Sequence, residues 1–237
     1  MKPPNNTHFP NRLLTGGREF RLGRRMLLYS LGLFFISLAV AISVNSAIGV
    51  APISALRYVL SRVLGPSMGF FTATLLSFFL LLQILILRRD FKWVNLAQLP
   101  AAFLYGYFVD LARFLLGDFQ LPTYLGRLAM QGISFVFLAI GIILITELRL
   151  VPLPAEGLVA AITQKIPNGT FHRTKIALDC TMVSITIAVS LLFLGGFYGA
   201  REGTVLSAIF VGRMMPYIQR VLIPLLNKSG IETPNPF

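Results

Sequence analysis

The chain alternates between long apolar runs and short polar connections. Six runs of about twenty residues stand at 26–48, 68–87, 95–116, 125–148, 174–196 and 204–225. At about 1.5 Å per residue, a helix of that length crosses a hydrocarbon core of about 30 Å. None of the runs alternates apolar and polar residues at a period of two, which excludes the strands of a membrane barrel. Trp93, Tyr29, Tyr124, Tyr198 and Tyr217 fall near run ends, where amphipathic rings sit at the headgroup level. The pattern predicts an all-α, polytopic membrane protein with six spans.

Two apolar stretches, 53–64 and 154–166, are too short to cross, at roughly 18 Å if helical. Each follows a break carrying proline: Pro52 in "SAIGVAPISAL", and Pro152 and Pro154 in "TELRLVPLPAE". Proline suits the first turn of a helix, where its missing N–H breaks no helical bond. Each stretch reads either as a helix that enters the membrane without crossing or as an amphipathic helix lying at the interface.

The two stretches stand in corresponding places. With an offset of one hundred residues, Gly32, Phe35, Leu38, Ala39, Ile42 and Pro52 match Gly132, Phe135, Leu138, Ala139, Ile142 and Pro152. Beyond the proline, Ala55, Val59, Gly69, Phe71 and Thr74 match Ala155, Val159, Gly169, Phe171 and Thr174. The third spans correspond after a small shift, Ala102 and Gly106 falling on Ala208 and Gly212. Each half thus reads as span, short proline-started helix, span, span. An odd number of crossings inserts the second half upside down, the inverted-repeat plan of many secondary transporters. The division is a basic tail at 1–25, a first membrane repeat at 26–117, a second at 125–225 and a C-terminal tail at 226–237.

Charge gives the orientation. The formal net charge is +12. Of the Lys and Arg residues in tails and connections, 15 fall on the side of both termini and 4 on the other. This bias predicts cytoplasmic termini. If the short stretches crossed as well, "RRDFKW" would face outside, so the charges favour six spans. Basicity here orients the chain. No basic stripe interleaved with aromatics points to nucleic acid.

Ionisable groups inside spans are costly and are functional candidates for that reason. Asp179, Arg57, Glu147 and Glu156 are the candidates here, with Asn45, Ser46, Pro52 and Pro152 beside the breaks. Asp110 and Arg113, i and i+3 on one helix, read as a coupling or structural pair. Asn45 and Ser46 equally suit bonding of the backbone groups that a helix end leaves open. One cysteine, Cys180, and two histidines form neither a disulfide nor a metal set, and no catalytic motif is present. The reading is no enzyme and no cofactor.

The Gly…Ala-Pro break, the Gly69 that opens the second span and "EGTVLSAIFVG" in the sixth resemble the bacterial YczE/YyaS/YitT family of membrane proteins, over residues 24–225. The resemblance implies a multi-pass protein of the bacterial cytoplasmic membrane and brings no substrate with it. One departure is that Gly203-Thr204 opens the last span, while "QLPAA" stands in the first half. Together the readings predict a small-solute transporter or permease with a midplane site between the repeats. Its solute is anionic or zwitterionic, and its surroundings are the lipid bilayer. The alternative is a non-transporting membrane partner, either a substrate-capturing subunit of an importer or a scaffold for a membrane complex; a homodimer or a membrane-complex partner is a separate expectation.

Overall fold

The computed structural model describes residues 18–148, 150–167 and 169–228. Most of the basic N-terminal tail, Arg149 and the end of the C-terminal tail lie outside the described residues. The described chain forms eight α-helices: α1 (Arg18–Ser46), α2 (Pro52–Leu64), α3 (Met68–Leu87), α4 (Gln98–Leu116), α5 (Tyr124–Leu148), α6 (Pro154–Lys165), α7 (Phe171–Leu194) and α8 (Glu202–Lys228). Two short 3₁₀ turns join α3 to α4.

Local chemistry sets the helix ends. Pro52 and Pro154 are the first residues of α2 and α6, so Pro152 stands outside the second short helix, in the link before it. Gly65 and Gly117 close α2 and α4 at positive φ. Ser67 caps α3 by accepting from the Phe70 N–H at 3.1 Å, satisfying one of the donors that a helix start leaves open.

Five helical segments are long and apolar enough to cross a membrane: Leu22–Ser46, Met68–Asp90, Trp93–Leu116, Tyr124–Leu148 and Phe171–Leu194. The sixth expected run falls in α8. That helix has the length but carries Pro216 and Pro224 inside it, with Arg213 and Arg220 along it, and so is less apolar than the other five. Many leucines and phenylalanines face outward, among them Phe103, Phe114, Leu85 and Leu192. This is the surface of a protein whose solvent is hydrocarbon.

α1 and α5 form the antiparallel centre. Their backbones meet at Gly32 and Gly141, where a Cβ on Gly141 would lie 2.7 Å from the Gly32 carbonyl oxygen. Around this pair, α1 packs on α4 and α5 on α8; α2 packs on α3 and α6 on α7; α2 packs on α7 and α3 on α6. Every one of these contacts has a counterpart when the halves are exchanged. The exception is α3 against α4, an extensive contact with no comparable one between α7 and α8 among the described residues.

Among the described glycines, Gly69 makes the closest approach of one helix to another, between α3 and α4. A Cβ on Gly69 would overlap the Gly106 carbonyl and the Asp110 carboxylate. That carboxylate accepts from the Gly69 N–H at 2.7 Å and from Ser67 Oγ at 2.6 Å. It closes the positive N-terminus of α3 from the neighbouring helix.

Candidate functional site

After Ser46 the chain turns back. Ala47 and Gly49 have φ of 56° and 131°, and Val50 and Ala51 line a small pocket with Ala39, Val40 and Leu138. Ala39 is two turns back along α1, about 10 Å below Ser46. From that depth α2 returns to the end of the bundle where α3 starts, with Arg57 bonded to Thr72, a little over one turn into α3. The second break does the same at the other end. The Pro154 carbonyl accepts from Gln83 Nε2 at 2.9 Å, and at the far end of α6 Lys165 pairs with Asp90 at 2.7 Å. Gln83 lies two turns inside Asp90, so α6 also starts deep and ends at the rim. Because Ser67 and Asp90 lie at opposite ends of α3, the two short helices open onto opposite ends of the bundle.

Exposed backbone at such depth needs partners, because an unbonded peptide group away from water is costly. At the first break they come from the other half. The Val50 N–H donates to the Gly199 carbonyl at 2.9 Å and the Gly203 N–H to the Ile48 carbonyl at 3.0 Å. Thr204 Oγ1 donates to the Val50 carbonyl at 2.8 Å and Arg201 Nη1 to the Ala47 carbonyl at 3.1 Å. Gln131 of α5, fully buried, accepts from Ser46 Oγ at 2.6 Å and donates to Ser43 Oγ at 3.0 Å. Ser43 Oγ in turn donates to the Gly49 carbonyl at 3.0 Å. At the second break the partners come from the first half: Gln83 bonds both Pro154 and the buried Gln98 Oε1, at 3.0 Å for the latter. Gly157 rests on the Gln83 amide, and a Cβ there would lie 2.6 Å from its oxygen.

Beside the first break lies a cavity of about 170 Å³. Its polar lining is Ser43 from α1, Arg62 from α2, Arg201 from the α7–α8 link and Gln120 from the α4–α5 link; Tyr58, Phe197 and Tyr198 supply aromatic walls. The Arg62 guanidinium lies over the rings of Tyr58 and Tyr198, at 5.3 and 5.8 Å from their centroids.

The residues expected from the sequence are dispersed. Arg57 is 3% exposed and does not reach this cavity. Its guanidinium donates to Thr72 Oγ1 at 3.1 Å, Ser54 Oγ at 2.6 Å and the Ile53 carbonyl at 3.2 Å, and lies over Tyr105. Asp179 pairs with Lys175 on its own helix at 2.8 Å, with a partly exposed side chain. The expected pairing of Asp110 with Arg113 does not form: Asp110 is taken by the α3 N-terminus, and Arg113 donates to Asn45 Oδ1 at 3.0 Å. Asn45 also donates to the Gly117 carbonyl at 2.9 Å, so it closes the end of α4. Ser46 and Pro52 are part of the first break. Glu147 is half-buried near the end of α5, and Glu156 is half-buried in the first turn of α6. Burial pushes the Glu156 carboxyl above its ordinary range, opposed by the Lys175 charge and by backbone bonding at Leu153. The sequence reading missed Gln83, Gln98 and Gln131. Their signal was available, since an uncharged amide within an apolar run must find a partner in the bundle.

Five bilayer-length apolar helices, a lipid-like exterior and two deep helix breaks define a multi-span helical membrane protein. The chain belongs to the family of unknown function DUF6198, whose model matches residues 23–220. It is similar to "Uncharacterized protein YyaS" of Bacillus subtilis (strain 168), with 26% identity over 201 residues, covering 83% of this chain and 94% of that protein. It is also similar to "Uncharacterized membrane protein YczE" of the same organism, with 26% identity over 205 residues, covering 86% of this chain and 89% of that protein. These are the relatives that the sequence resemblance leads one to expect. No solved structure matches the chain at a significant level.

Proposed function

We propose that the protein is a small-solute transporter or permease of the bacterial cytoplasmic membrane. It is built from two inverted repeats of three crossings, with α8 completing the six. One observation carries the reading: each broken segment opens to a different end of the bundle, and each is hydrogen-bonded by the opposite half. Broken segments in corresponding positions, facing each other across a repeat interface, are where such carriers bind their cargo. The symmetric exchange of helix contacts supports the same plan. The cluster of Arg88, Arg89 and Lys92 beside Asp90 supports a cytoplasmic location for the α6 rim. The cavity beside α2 then faces outward and is the point of entry for a small anionic or zwitterionic solute. Catalysis has no part in this mechanism.

The test is orientation, then flux. With Cys180 replaced by serine, single cysteines through 50–64 and 150–166 are labelled in oriented vesicles with an impermeant maleimide. The reading expects labelling of the first series from outside and of the second from the cytoplasmic side. Labelling of both from one side overturns the inverted arrangement. Uptake of a labelled solute into proteoliposomes holding only this chain supports transport. A chain that conducts nothing alone, yet co-purifies stoichiometrically with another membrane protein, is a subunit and not a carrier.

A further inference from the structure

The cavity beside the first break carries two guanidiniums and no carboxylate in its lining. Their surroundings differ. Arg201 is spoken for in part: it donates to the Ala47 carbonyl and lies 3.4 Å from Glu202. Among the described residues, Arg62, an exposed side chain, contributes to no hydrogen bond or ion pair and is held by Tyr58 and Tyr198. Stacking uses the faces of a guanidinium and leaves its in-plane N–H donors free, and these donors match the two oxygens of a carboxylate. One of the rings comes from α2 and the other from the link between α7 and α8, so both halves fix this cation. Besides Ser43 and Gln120 the wall is apolar or aromatic, including Val44, Val50 and Phe197.

Size sets the scale of the ligand, in a cavity that is open on the side where Arg62 is exposed. A cavity of about 150 Å³ accommodates one benzene ring; this one, at about 170 Å³, has room for a single ring or a short branched chain with its acid group. The geometry points to a binding site for a small organic monoanion, a carboxylate on an apolar body of about the size of one six-membered ring, with Arg62 as the principal carboxylate ligand and Arg201 as its support. This deepens the transporter reading and takes its physiological meaning from it, but it is tested by binding alone.

Benzoate is titrated calorimetrically into the full-length protein in detergent, alongside benzamide, its neutral isostere, and inorganic phosphate. The expected result is saturable benzoate binding, at least tenfold weaker binding of benzamide and no competition from phosphate. Arg62→Gln, which removes the two ring contacts but no hydrogen bond or ion pair among the described residues, weakens benzoate about tenfold, the loss of one charge-assisted contact of about 1.4 kcal/mol. Equal binding of benzamide, displacement by phosphate or an Arg62→Gln affinity equal to wild type overturns the proposal. The comparison of benzoate with benzamide needs no variant, so misfolding of Arg62→Gln leaves the test intact. Benzoate binding with no flux in proteoliposomes retires the carrier and keeps the site. Flux with no benzoate binding retires the site and keeps the carrier.

Discussion

Replacing Gly69 with alanine sets two effects of opposite sign against each other. Alanine favours a helix over glycine by up to about 1 kcal/mol, and less near a helix start. Against that, the added Cβ overlaps the Gly106 carbonyl and the Asp110 carboxylate. Backbone cannot yield as a flexible side chain does, so α3 and α4 must separate by about 1 Å in an interface packed at interior density. The separation breaks or stretches the bonds from the Gly69 N–H and Ser67 Oγ to Asp110. Hydrogen bonds to a charged group contribute about 1.5–3 kcal/mol each. Losing much of that pair outweighs the propensity gain, and the expected net cost is about 2–4 kcal/mol. Equilibrium unfolding in mixed micelles measures it. A double-mutant cycle with Asp110→Asn isolates the coupling, because in that background Gly69→Ala has weaker bonds left to break and costs at least about 1 kcal/mol less. An unchanged or raised midpoint for Gly69→Ala refutes the reasoning, since it means propensity outweighs contact.

Three further outcomes follow from the same geometry. Arg57→Ala removes a buried side chain with three hydrogen bonds; it costs about 2–4 kcal/mol of stability and leaves benzoate affinity unchanged, whereas a tenfold loss of affinity with full stability makes Arg57 a ligand. Glu156 has a raised folded-state pKa, so its contribution to stability is complete below its unfolded value and is lost as pH rises through the folded value. Glu156→Gln therefore raises the melting temperature at pH 8 and not at pH 4; a gain at pH 4 as well contradicts the assignment. Lys165→Met removes an exposed ion pair with Asp90 and shifts stability by less than about 1 kcal/mol, and a larger loss in a thermal scan means that the pair anchors α6.

Much of this architecture is written in the sequence through two local devices. Apolar runs of bilayer length give the crossings, and the prolines with nearby glycines give the two breaks. The sequence reads a sixth span at 204–225; α8 has that length, but Arg213, Arg220 and two prolines dilute its apolar character, and it is not among the five helices apolar enough to cross. The site was harder to read. Arg57 and Arg62 are five residues apart on α2, about 140° around the helix. One face turns into the packed core and the other to the cavity, and nothing in the local sequence says which. Asp110 and Arg113 have the right spacing to pair, but a helix N-terminus and Asn45 offer each a better partner from helices far away in the chain. The amides Gln83, Gln98 and Gln131 act only through partners 15 or more residues distant. Local pattern fixes where backbone is left open, and only the assembled bundle decides what fills it.

Among the described residues α7 and α8 share no contact comparable to that of α3 with α4, so the two halves are unequally braced. α3 and α4 are zipped together by Gly69, Gly106 and Asp110 and form a stiff pair. α7, with only 17% of its apolar window buried, is braced mainly by the two short helices, and a groove of about 560 Å³ runs along it beside α6. Among the described residues α7 packs chiefly on α2 and α6, so a displacement of α7 would be felt first by the two short helices that begin at the breaks.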